Sequence, residues 1–236
     1  RSNIAANLAF LLAAEGQRVG IIDADLRSPA VHYLFQLNEA EITYTFNDYL
    51  EGKCSIEDAA YDITPRLDAR LTGRIFLVPS LNQLGQPVQQ LSHIQDAELL
   101  NIGCQRLVKS FNLDAVLIDT QPGVNEKALI AVTVSDILVV ILRLNQRDYQ
   151  DTSVAVDIIR QLDIPRILLI INEAPKTFDF NRIKAEVERI YKCEVAAILP
   201  YVEEIMILAN QDIFALRYPN HPLTTMLKQV TAKLVA

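Results

Sequence analysis

Short apolar runs alternate with longer amphipathic ones along the chain. The runs Val19–Asp23, Ile75–Val78, Ala115–Asp119, Ile137–Leu142, Ile167–Ile171 and Val195–Leu199 are continuous rather than alternating. A strand buried on one face alternates, and a strand buried on both does not, so these runs are predicted as strands of a parallel sheet covered by helices. Between them lie segments of helical period. In the first, Ile4, Leu8, Leu11 and Leu12 share a face, and Gly16 is placed to end the helix. Further helices are predicted over roughly Gln95–Ser110, Asn125–Val134, Tyr149–Leu162, Phe180–Tyr191, Glu203–Asn210 and Leu223–Val235. This order gives right-handed crossovers and an α/β fold, a doubly wound, mainly parallel sheet flanked by helices, as one domain over residues 1–236. The first helix needs a strand to come from, so a further strand is expected upstream of Arg1. Residues 36–74 break the rhythm. They are expected as loops and short helices at one edge, with Phe46–Leu50 and Ser55–Tyr61 helical and Ser55 and Asp58 spaced as a capping box.

Composition narrows the picture. Half of the residues are hydrophobic and 22% are charged, an ordinary globular balance. A net charge of −7 disfavours a broad nucleic-acid surface, although a local basic patch stays open. The longest apolar runs are too short to span a bilayer. Cys54, Cys104 and Cys193 are scattered without metal-ligand spacing, which reads as free reduced thiols in a cytoplasmic protein.

Candidate chemistry sits at strand ends. In open α/β sheets ligands bind outside the carboxyl ends of the strands. Asp119 closes an apolar strand and is followed by Thr120-Gln121-Pro122-Gly123. An aspartate there can hold Mg²⁺ beside nucleotide phosphates, and a glycine N–H can approach a terminal phosphate closely. The plainer reading is an aspartate capping the next helix. Asp23 and Asp25, one residue apart at another strand end, point the same way and repel unless a cation or solvent relieves them. Their plainer reading is a solvated turn in which Arg27 pairs with a carboxylate. Ser2 opens a helix, where a hydroxyl caps the helix or ligates Mg²⁺ next to phosphates. Arg1 stands before it, where a P-loop carries lysine.

These segments resemble one family. Arg1-Ser-Asn-Ile-Ala-Ala-Asn-Leu-Ala9, Gly20-Ile-Ile-Asp-Ala-Asp25 and Leu117-Ile-Asp-Thr-Gln-Pro-Gly123 are similar to the MinD/ParA family of deviant-Walker P-loop ATPases. Ile170-Ile-Asn-Glu-Ala-Pro175 resembles that family's adenine-side motif, and Leu199-Pro200 with the stretch to Asn210-Gln211 resembles its C-terminal adenine border. The resemblance implies ATP and Mg²⁺ as cofactors. It implies Ser2 as the metal-binding hydroxyl, with Asn3 after it, and Arg1 at the phosphate-bridging lysine. It further implies Asp23 and Asp25 as switch I carboxylates, with Asp23 a further metal ligand and Asp25 orienting the attacking water. Asp119 would be the Walker B aspartate, Gly123 the switch II glycine, Asn172 the base contact and Pro200 part of the adenine border. The glycine loop and its signature lysine are expected upstream of Arg1. Arginine for lysine is a departure, because its planar head is larger and not equivalent.

The implied activity is an ATP-dependent homodimerisation switch with slow hydrolysis, acting in division-site placement or partitioning with an activating protein partner. Two other readings stand beside it: a catalytically impaired scaffold, motivated by Arg1, and a bacterial tyrosine-kinase-like protein, suggested by the Asp23–Pro29 run. The last helix carries Leu223, Met226, Leu227, Val230 and Leu234 on one face, a core stripe rather than a membrane anchor. His32, His93 and His221 have no metal-binding spacing, and His32 is expected on a surface turn.

Overall fold

The computed structural model describes residues 1–67, 71–82, 94–121, 126–162, 164–208 and 211–235. Its helices are α1 (Ser2–Ala14), α2 (Val31–Leu34), α3 (Phe46–Leu50), α4 (Ile94–Phe111), α5 (Glu126–Thr133), α6 (Gln146–Arg160), α7 (Phe180–Tyr191), α8 (Glu203–Ile207), α9 (Phe214–Arg217) and α10 (Pro222–Leu234). Its strands are β1 (Arg18–Asp23), β2 (Tyr61–Asp62), β3 (Arg74–Val78), β4 (Ala115–Asp119), β5 (Ile137–Leu142), β6 (Arg166–Ala174) and β7 (Glu194–Pro200). The expected α/β alternation is present, mainly parallel and flanked by helices.

The apolar runs form buried strands because their side chains serve two cores in turn. Along β1, Val19 and Ile21 enter one core and Ile22 the other. Along β3, Ile75 and Leu77 face the first core while Phe76 and Val78 face the second. In β6, Leu168 and Ile170 join the first core, and Leu169 and Ile171 join a third. The first core holds α1, α2, α9 and α10. On the opposite face lie α3, α4 and α5 against β1 and β3, and α6 and α7 against β5–β7. That two-sided covering makes the fold doubly wound.

The strands pair as two sheets, in the orders β2-β3-β1-β4 and β5-β6-β7. All ladders are parallel except β2 with β3. Among the described residues, β4 and β5 each pair along one edge only, and most of their apolar side chains stay partly exposed. The layer of α1 and α10 lies across both sheets, since its core takes residues from β1, β3, β6 and β7.

Several expectations change. Ser55–Tyr61 was expected to be helical. Its capping contacts form, with Ser55 Oγ donating to Asp58 at 2.6 Å, but only a turn follows, and Tyr61 begins β2. Helix α6 starts at Gln146 because Asn145 caps it, accepting from the Asp148 N–H at 2.9 Å. The last expected helix before α10 stops at Ile207, and α9 is additional. His32 is buried rather than on a surface turn, at 1% exposure within α2. His93, Asn125 and Asn210 lie outside the described residues. Gly16 ends α1 as expected, with φ at +96°. The α10 stripe is core: Leu223, Leu227 and Val230 are buried. Among the described residues no helix is long and apolar enough to cross a membrane.

Candidate functional site

The carboxyl ends of β1 and β4 bring the predicted acidic residues together. The parallel ladder places Asp23 opposite Asp119, and the Ala24 N–H donates to the Asp119 carbonyl at 2.8 Å. Adjacent strands lie about 4.8 Å apart, so two carboxylates in register are close neighbours. Both are buried, at 0% and 5% exposure. Burial pushes the Asp23 pKa up to about 7, the charge of Asp119 adds to the rise, and three main-chain hydrogen bonds oppose it. Burial also raises the pKa of Asp119, while the Ser2 hydroxyl and the positive charge at Arg1 pull it down and Asp25 pushes it up. Ser2 is the first residue of α1, and Arg1 at the cap position makes no side-chain capping bond. The Oδ2 oxygen of Asp119 is buried without a hydrogen-bond partner.

The two switch carboxylates are held differently. Asp23 Oδ2 accepts from the N–H groups of Ala30 and Val31 at 3.0 and 3.1 Å, and its Oδ1 accepts from Asp25 at 3.2 Å. Asp23 thus anchors the loop from residue 24 to the start of α2. Its carbonyl accepts from the buried Ser80 hydroxyl at 2.6 Å, which ties β1 to the end of β3. Asp25 accepts from the N–H groups of Arg27 and Ser28 at 3.1 and 3.0 Å and turns the chain there. Within the described residues Arg27 makes no ion pair with these carboxylates, against the plainer reading of this turn.

Arg1 is exposed at the entry to α1, with Ser2 and Asn3 partly buried behind it. A chain of hydrogen bonds sets the Asn3 amide. The Ala215 N–H of α9 donates to Asn7 Oδ1 at 2.7 Å, which obliges Asn7 Nδ2 to point at Asn3. That nitrogen donates to the Asn3 carbonyl at 2.7 Å and to Asn3 Oδ1 at 2.9 Å. Asn3 Nδ2 then faces away from Asn7 and is buried without a partner. Asn7, at 0% exposure, escaped the sequence reading; a lone polar residue inside the apolar run Ile4–Leu12 was its only signal.

A second group of candidates gathers at the ends of β6 and β7. Ala174 pairs with Pro200, and a register shift between Ile171 and Ala174 lifts Asn172 and Glu173 out of the ladder. Glu173 takes φ +56° and forms an ion pair with Arg143, just past β5, at 3.0 Å. Asn172 is partly exposed beside this turn. Gly123 lies outside the described residues. Among the described residues no cluster of three or more His, Cys, Asp or Glu side chains is arranged to hold a metal by itself. The donor set at Asp119 instead combines carboxylate and hydroxyl oxygens.

The arrangement has counterparts. A family model described as an AAA domain matches residues 1–164. The chain belongs to the MinD/ParA family of P-loop ATPases. Among MinD/ParA relatives and neighbours, it is similar to an uncharacterized ATP-binding protein of Methanocaldococcus jannaschii. The two are 23% identical over 238 residues, covering 100% of this chain and 83% of that protein. It is also similar to a putative septum site-determining protein MinD of Emiliania huxleyi, 25% identical over 89% of this chain and 73% of that one. The solved structure of MinD from Pyrococcus horikoshii, complexed with Mg-ADP, shares the fold with a TM-score of 0.77. It is 16% identical and covers 99% of this chain and 89% of its own. The predicted site residues among the described ones lie at or just past the ends of β1, β4, β6 and β7 or at the start of α1.

Proposed function

We propose that this chain is an ATP-binding, slowly hydrolysing switch of the MinD/ParA type. It would dimerise on ATP, respond to an activating protein partner and work in the cytoplasm on division-site placement or partitioning of DNA or other cargo. The observation that carries the reading is the Asp119 carboxylate, buried at the end of β4 and left with one unpartnered oxygen. An orphaned buried acceptor is costly unless a ligand meets it. The printed name of the M. jannaschii relative and the Mg-ADP of the P. horikoshii MinD structure agree with this choice of ligand.

The oxygen donors fit a magnesium ion, a hard cation that takes carboxylate and hydroxyl oxygens beside phosphates. Ser2 and Asp119 would hold it. Asp23, predicted as a third ligand, already has both oxygens engaged by main-chain N–H groups, so its role is proposed as holding the switch loop. When bound, the ion would neutralise phosphate charge. The chain's own work is positioning: Asp25 orients the attacking water, Asn3 and the start of α1 receive phosphate oxygens, and Asn172 and Pro200 border the base. Arg1 supplies positive charge at the phosphates with a larger, planar head than lysine. That difference supports the impaired-scaffold reading as the second candidate.

The test is Mg-ATP binding and turnover by the full-length protein beside Asp119→Ala, with mass followed by light scattering. ATP-dependent dimerisation and slow turnover in the parent, with turnover falling at least tenfold in the variant, are expected. Binding and dimerisation without turnover would select the scaffold reading. No binding in either protein would sink the switch reading and leave a scaffold that keeps the fold without the chemistry.

A further inference from the structure

We propose that Gln121 distinguishes nucleoside triphosphate from diphosphate, its side-chain amide donating a hydrogen bond to the terminal phosphate. The inference rests on the nucleotide reading above and names a residue that reading does not use. Gln121 is 7% exposed, and its Nε2 is buried without a hydrogen-bond partner. A buried amide donor with no acceptor is destabilising, so its presence points to an acceptor that the polypeptide does not provide. Asp119, Thr120 and Gln121 are buried, partly buried and buried in turn. The unpartnered Gln121 amide thus follows the unpartnered Asp119 Oδ2 by two residues just past the carboxyl end of β4.

The two orphans define the chemistry of what lies between them. A donor and a carboxylate acceptor are met together by a phosphate that carries a divalent cation: phosphate oxygens accept from the amide, and the cation meets the carboxylate. An apolar ligand leaves both groups unsatisfied, and a free anion is repelled by Asp119. Two phosphates are separated along the chain. The first turn of α1, through Ser2 and the unpartnered Asn3 amide, serves the phosphate on its side of Asp119. Gln121 lies two residues beyond Asp119, about 6–7 Å farther along extended chain. The phosphate it reaches is the terminal one, which a diphosphate lacks.

The test is calorimetric titration of the full-length protein, in Mg²⁺, with AMP-PNP and with ADP, comparing the parent with Gln121→Met and Gln121→Glu. Gln121→Met is expected to lose tenfold or more in AMP-PNP affinity and to keep ADP affinity within twofold. Its nucleotide-free melting temperature should hold or rise, because an unsatisfied donor has been removed. Gln121→Glu sets a carboxylate against the phosphate and should lose more for AMP-PNP than Gln121→Met does. Equal losses for both nucleotides with a lowered melting temperature would overturn the proposal in favour of a packing role. Unchanged AMP-PNP affinity would overturn it outright while leaving the nucleotide reading intact. A parent protein that binds neither nucleotide would overturn both.

Discussion

Asp23 pays for its position in protonation behaviour. In the unfolded chain it ionises near 3.8, and in the folded chain burial beside Asp119 moves it to about 7. Between those values the folded state holds a proton that the unfolded state has released, so stability declines as pH rises across that window and levels off above it. Urea midpoints of the nucleotide-free protein are expected to fall between about pH 4 and pH 7, and Asp23→Asn should flatten that slope. A slope of opposite sign would remove Asp23 as its source. At this scale the sequence was readable where chemistry coincides with a strand end. Asp23, Asp25, Asp119 and Ser2 announced themselves by following or opening a periodic run. Gln121 and Asn7 did not, because an amide becomes informative only when burial strips it of partners, and burial is a property of the folded chain.

Elements are set by local pattern where they are long and by contacts where they are short. The long apolar runs became strands within one residue at each end, except that β6 runs three residues past Ile171 to Ala174. The two-residue β2 has no period to detect, and it exists because Tyr61 and Asp62 pair antiparallel with Leu77 and Phe76. Residues 55–58 show the converse: a capping box forms, yet the helical turn stops because Tyr61, three residues on, is drawn into pairing with Leu77. Gly73 decides how α1 meets β3. Its N–H donates to the Ala13 carbonyl at 2.9 Å, and a Cβ there would stand 2.0 Å from the Gln17 carbonyl oxygen and 2.7 Å from that of Ala13. Those are main-chain atoms that cannot swing away. Gly73→Ala is expected to cost on the order of 3 kcal/mol, measured by denaturant unfolding. A loss below about 0.5 kcal/mol would show that the junction relaxes.

In the whole molecule, the α1–α10 layer joins what the ladders leave as two sheets. Leu227 of α10 is 2% exposed in the core shared by β1, β3, β6 and β7. Leu227→Ala is expected to cost about 2–5 kcal/mol by opening a cavity in that seam. Because the start of α1 is part of the candidate site, the same variant should weaken nucleotide binding although Leu227 is not among the site residues. Circular dichroism melts and AMP-PNP titration check the two effects. A stability loss with unchanged affinity would mean that the seam and the site are mechanically separate.

The sequence by itself determined the α/β alternation, the parallel strands and the acidic strand ends, since each follows from local periodicity and from the polarity of a few residues at element boundaries. It also carried the family resemblance, because the motif order along the chain needs no coordinates. Only the tertiary structure decided which polar groups are left without partners, that Asp23 spends both oxygens on the loop to α2, and that Asn7 aims the Asn3 amide from α9. Those outcomes depend on which distant segments a side chain meets and on whether water still reaches it, and spacing along a chain encodes neither.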